Sequence, residues 1–169
     1  MQTELSKVVT ALQEFYAHEA FLFEHNLGER PLTHRLAVYL EKQFSGWEVD
    51  CDYNRLGERR LRMPNGSIIS TDDELGKSVY PDIVVHQREI PNNLLAIEVR
   101  KTSNHQPPEH DRHKLQALTD PHLWFAYAIG VYLVLGKTSV VADVYVGGAI
   151  DQARSVWLAG RLRDARLGT

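Results

Sequence analysis

The order of helical and extended segments predicts an α/β protein with a mixed central β-sheet flanked by helices. Three observations carry this expectation. Apolar residues recur at helical spacing near the start of the chain; Ile83-Val84-Val85 and Leu94-Leu95-Ala96-Ile97 form two continuous apolar runs close together; and a polar segment with helical character separates them from a further run, Ala126 to Leu135. Continuous apolar runs suit central strands that are covered on both faces.

The elements follow in order. Leu5, Val8, Val9, Leu12, Phe15 and Tyr16 keep a helical period and predict a helix over 3–20. Gly28 breaks the chain, and Pro31 falls where a first helical turn tolerates proline. Leu32, Leu36, Tyr39, Leu40 and Phe44 then make the apolar stripe of a second helix, 30–44, stopped by Gly46. Trp47 to Asn54 alternates apolar and polar residues, the pattern of a strand with one wet face. A weaker strand starts near Arg59, and residues 64–78, rich in Gly, Ser, Asn and Asp, read as a loop. Two strands follow, about 79–87 and 93–101, joined by a turn containing Pro91-Asn92-Asn93. Pro107-Pro108 marks a polar loop before a helix over 110–119, with Leu115 and Leu118 on its buried side. Strands over 126–135 and 140–146, separated by Gly136-Lys137-Thr138, lead through the Gly147-Gly148 turn to a last helix, 150–164. No repeat or linker interrupts the pattern, which predicts one domain over 1–169.

Composition narrows the function classes. Apolar residues make up 43% and charged residues 24% of 169, so a folded core rather than a disordered chain is expected. The formal net charge of −3 argues against a general polyelectrolyte binder, while leaving room for a nuclease whose acids hold metal and whose positive charge is local. The single cysteine, Cys51, excludes a disulfide within the chain and a Cys-rich zinc site. His110 and His113 are three apart on a predicted helix but lack a third partner for zinc. The first residues do not pair a basic region with an apolar one, and the longest apolar run is too short to span a bilayer. The expectation is a cytoplasmic protein with no membrane partner.

The two central strands carry the chemistry. Each bears one acid that its apolar surroundings do not explain, Asp82 and Glu98, and Glu98 is followed by Arg100 and Lys101. Hard Mg²⁺ prefers oxygen ligands and keeps several waters, so one or two carboxylates suffice to hold it. Asp82, Glu98 and the carbonyl of Val99 form such a ligand set in outline. Side chains alternate along a strand, so Arg100 shares the face of Glu98 and points to the phosphate or the attacking water. Lys101 points to the opposite face unless a bulge intervenes. The plainer alternatives make Asp82 a turn cap and Glu98 a structural ion pair with Lys114 or an arginine. On the second helix, His34 lies one turn beyond Arg30, within reach of a phosphate; Lys114 lies on the helix that follows the site.

Pro81-Asp82 followed by Glu98-Val99-Arg100 resembles the PD-(D/E)xK nuclease superfamily, whose restriction-endonuclease-like core is a mixed four-stranded sheet in the order α-β-β-β-α-β. The resemblance covers about 29–146. Glu29 before the first core helix, Tyr53-Asn54 after the first strand, and Asn93 to Glu98 are similar to small uncharacterised prokaryotic and phage members. The resemblance implies that Asp82 and Glu98 bind Mg²⁺ (or Mn²⁺) and that Glu29 is an additional acidic ligand. It implies a nuclease acting on nucleic acid, with DNA the expected substrate. Cutting both strands of a duplex would favour a two-fold homodimer. One departure stands out. The family's lysine belongs at position 100, and this chain has Arg100, which stays protonated above about pH 12 and cannot act as a general base. Arg100 can still hold a phosphate or stabilise transition-state charge. The competing reading is a nuclease-fold module without catalysis, binding nucleic acid or a protein in a regulatory or defence role.

Overall fold

The computed structural model describes residues 1–56, 59–60 and 80–168; of residues 55, 56, 59 and 60 it describes the backbone only. The chain runs α1 (Gln2–His18), α2 (Ala20–Glu24), α3 (Glu29–Gln43), β1 (Glu48–Cys51), β2 (Arg55–Leu56), β3 (Arg59–Arg60), β4 (Ile83–Gln87), β5 (Asn92–Lys101), α4 (Glu109–Thr119), β6 (Ile129–Leu135), β7 (Val140–Val146), β8 (Ala149–Ile150) and α5 (Gln152–Asp164). The α/β expectation holds: a six-stranded mixed sheet, ordered β1-β4-β5-β6-β7-β8, is flanked by helices, and β2-β3 form a separate small ladder. The expected loop at 64–78 and the expected start of a strand at Val79 lie outside the described residues.

β5 is the centre of the sheet. It pairs antiparallel with β4 and parallel with β6, and a parallel pair needs a long crossover, here supplied by α4. Both faces of β5 are covered, which explains its continuous apolar run. Ile97 and Val99 join Leu95, Ile83 and Val85 in a core shared with α1, α3 and α5, drawing Leu12, Phe15, Leu36, Leu40 and Leu158. Ala96 and Val84 face the other way, into a smaller core with Leu115 and Leu118 of α4 and with Tyr132 and Tyr145. Gly130 of β6 lets α4 approach closely, since a Cβ there would stand 2.9 Å from Thr119 Cγ2 and 3.1 Å from Tyr145 Cβ.

Several boundaries differ from expectation for local reasons. Ala126 has a positive φ of 31°, so β6 starts at Ile129 rather than 126. Residue 150 belongs to β8, a strand not foreseen. It pairs back on β7 through a two-residue turn in which Gly147 and Gly148 have φ of 62° and 81°. Positive φ at both central positions is the hairpin geometry that glycine permits. The last helix therefore begins at Gln152, with Asp151 as N-cap accepting from the Arg154 N–H at 2.9 Å. The short helix α2 was also not foreseen. No helix among the described residues is long and apolar enough to cross a membrane.

Candidate functional site

The site lies at the C-terminal end of β5, where β4 has not yet begun. Ile83 is paired with Ile97, so the register carries Asp82 opposite Glu98, on the face turned toward α4. Asp82 is held at both ends. Its carbonyl accepts from the Asp52 N–H at 3.3 Å, and its Oδ2 accepts from the Val99 N–H at 2.7 Å. A strand amide that the ladder would leave unpaired is thus satisfied by a carboxylate. Burial pushes the Asp82 carboxyl up to about 6, against the opposing pull of Lys114 and the Val99 N–H.

Glu98 is buried, at 1% exposure. An unpaired charge in such a place is expensive, so it needs a partner. The partner is Lys114, whose ammonium makes an ion pair with Glu98 Oε2 and donates to the Tyr80 carbonyl at 3.2 Å. Oε1 of Glu98 has no hydrogen-bond partner among the described residues. Burial pushes the Glu98 carboxyl well above its ordinary value; Lys114 opposes this and Asp82 adds to it. Burial alone would lower the Lys114 ammonium, but Glu98, Asp82 and Asp111 outweigh it and hold the group up. These directions pull against each other, since a protonated Glu98 would not support Lys114. The surroundings favour the charged lysine, which answers to three carboxyls and a carbonyl.

Arg100 shares the Glu98 face, as strand alternation requires, and is buried. It is also occupied. Its guanidinium lies 3.2 Å from Asp111 Oδ2 and 3.2 Å from Asn104 Oδ1, and it donates to the Asn104 carbonyl at 3.4 Å. Lys101 turns to the opposite face, where its Nζ donates to Asn26 Oδ1 and the Leu27 carbonyl, both at 2.7 Å. The ladder with β6 is regular from Leu95 to Lys101, so the alternation that separates Lys101 from the Glu98 face holds.

Glu29 reaches the same strand end from the other layer. Its Oε1 accepts from the Lys101 N–H and from Asn104 Nδ2, both at 2.9 Å. Two alternate amides of β5, Val99 and Lys101, therefore each meet a carboxylate. Glu29 joins the cluster indirectly, through Asn104 and Arg100, rather than by standing beside Asp82 and Glu98. Val99 buries its side chain in the large core and contributes its backbone. Arg30 and His34 are exposed on α3, the layer away from α4. Sequence reasoning missed Asp111 and Asn104. Asp111 stands three residues before Lys114 on α4, a spacing that puts both on one helix face. Tyr53 packs edge-on to buried His86 at 4.5 Å, a packing role.

Among the described residues, no group of three or more His, Cys, Asp or Glu is arranged to hold a metal ion. The donors at hand are two carboxylates, Asp82 and Glu98, with oxygen atoms only. That set fits a hard divalent cation that keeps most of its waters, and Oε1 of Glu98 is a buried acceptor with no hydrogen-bond partner among the described residues. It does not fit a metal that needs nitrogen or sulfur ligands. No protein-family model, curated protein or solved structure matches this chain.

Proposed function

We propose that this chain is a metal-dependent nuclease of the PD-(D/E)xK type, hydrolysing phosphodiester bonds in nucleic acid, with DNA as the substrate. The observation that carries this reading is the pairing of Asp82 with Glu98 on one sheet face, with Lys114 against Glu98. The element order supports it: α3, β1, β4, β5, α4 and β6 follow the α-β-β-β-α-β order, with an antiparallel meander and then a parallel crossover.

Asp82 and Glu98 would hold Mg²⁺ or Mn²⁺. The chemistry such an ion supplies when bound is neutralisation of phosphate charge and acidification of a water. Lys114 provides a positive charge beside the carboxylate pair, where the phosphate would bind. Arg100, braced by Asp111 and Asn104, orders the end of β5. Glu29 fixes the following residues by accepting from Lys101 and Asn104.

A second reading has one observation in its favour. Lys114 already neutralises Glu98, as it would in a purely structural ion pair. On that reading the fold is a module that binds nucleic acid or a protein without cutting.

The test is cleavage of single- and double-stranded DNA and RNA with Mg²⁺ or Mn²⁺, beside calorimetric titration of each ion. Asp82→Ala and Glu98→Ala are expected to abolish cleavage and ion binding together. Cleavage that survives both substitutions refutes the site; ion binding without any cleavage by the unaltered protein supports the second reading.

A further inference from the structure

The contact between Lys114 and Glu98 joins two layers of the fold. One partner comes from the middle of α4 and the other from β5, and both are buried. Position 100, where strand alternation alone would place a cation beside Glu98, holds an arginine engaged by Asp111 and Asn104. Lys101 is turned away. Lys114 is thus the ammonium that the fold delivers to the carboxylate pair, and it comes from a different element.

Its attachments are few. Besides Glu98, the Nζ atom has one further hydrogen-bond partner described, the Tyr80 carbonyl at 3.2 Å. Tyr80, whose carbonyl it meets, is itself 49% exposed. On the other side of the same carboxylate, Oε1 has no hydrogen-bond partner among the described residues. A carboxylate with one oxygen on a lysine and the other bare offers an incoming cation a foothold before the lysine departs. The charge count points the same way: two carboxylates against one ammonium leave a deficit that a divalent ion makes good.

We propose that Lys114 is a built-in counterion that a divalent cation displaces from Glu98, and that the released ammonium is this chain's lysine for the substrate phosphate. This rests on the reading of Asp82 and Glu98 as an ion-binding pair. It goes beyond that reading by making ion binding an exchange rather than an addition. Without the ion, Lys114 closes the site and satisfies Glu98. With the ion, the flexible four-carbon stem lets the ammonium leave Glu98 and turn to the substrate phosphate.

The test uses the whole protein and Mn²⁺ as the probe. Mn²⁺ titration by calorimetry compares the unaltered chain with Lys114→Met and Lys114→Arg. Removing the competing charge is expected to tighten Mn²⁺ binding about tenfold in Lys114→Met, while Lys114→Arg, which keeps a competitor, stays near the unaltered protein. A second measurement needs no substitution. Acetylation of Lys114 by acetic anhydride, read by mass spectrometry, is expected to rise several-fold when Mn²⁺ is added. Equal Mn²⁺ affinity in the unaltered and Lys114→Met proteins, or Lys114 acetylation indifferent to Mn²⁺, overturns the exchange and leaves the ion-binding pair standing. Absence of Mn²⁺ binding in every form overturns both.

Discussion

The Asp82 carboxylate stands where a strand residue would otherwise be, accepting the Val99 N–H at 2.7 Å just beyond the last ladder pair of β4 and β5. Beyond the Ile83–Ile97 pair, a side-chain carboxylate takes the place of a ladder carbonyl. This single hydrogen bond fixes the Asp82 carboxylate opposite Glu98, at the edge of the ladder.

Asp82 sets a pH dependence of stability. Burial raises its carboxyl from 3.8 to about 6, so the folded state binds its proton more tightly than the unfolded state does. The stability it contributes is full below about pH 4 and is lost as pH rises through about 6, a difference worth about 3 kcal/mol. Asp82→Asn cannot ionise but keeps an oxygen for the Val99 N–H. Urea unfolding without divalent ions, at steps from pH 4 to pH 7, is expected to show the unaltered protein losing stability relative to this variant.

Asp50 gives the opposite sign. Arg88 holds it in two hydrogen bonds of 2.8 and 2.6 Å, and His86 Nε2 lies 2.9 Å away. The Arg88 contact, against burial and with help from His86, lowers its carboxyl below the usual range. The stability this provides is present above about pH 4 and is lost as pH falls through the lowered value. Asp50→Asn is expected to cost about 1–2 kcal/mol at pH 7, since Arg88 is half exposed, and the gap to the unaltered protein should close in acid. Urea midpoints at pH 7 and pH 3 measure both.

Arg100→Lys tests whether position 100 needs the family's residue. A lysine there carries its donors on one nitrogen and cannot span Asp111 and Asn104 as the two terminal nitrogens of the planar guanidinium do. The variant is expected to lose about 1 kcal/mol and to cut no faster than the unaltered protein, because Lys114 already supplies the ammonium at Glu98. Thermal unfolding and a plasmid cleavage assay with Mg²⁺ read the two effects, and a gain in cleavage would refute this assignment of roles.

The sequence by itself determined most of the secondary structure and the central pair of acids. Helical spacing marked α1 and α3, continuous apolar runs marked β4 and β5, and alternation placed Arg100 on the face of Glu98, because these are properties of neighbours along the chain. The short elements α2 and β8 escaped, having too few residues to show a period. Only the tertiary structure decided which cation meets Glu98. Sequence distance favoured Arg100, two residues away, yet Asp111 and Asn104 claim it, and Lys114 arrives from α4 sixteen residues on. Glu29 likewise reaches the Lys101 amide from a different layer. Such contacts depend on how helices pack across a sheet, through features such as the close approach at Gly130, and no local period encodes them.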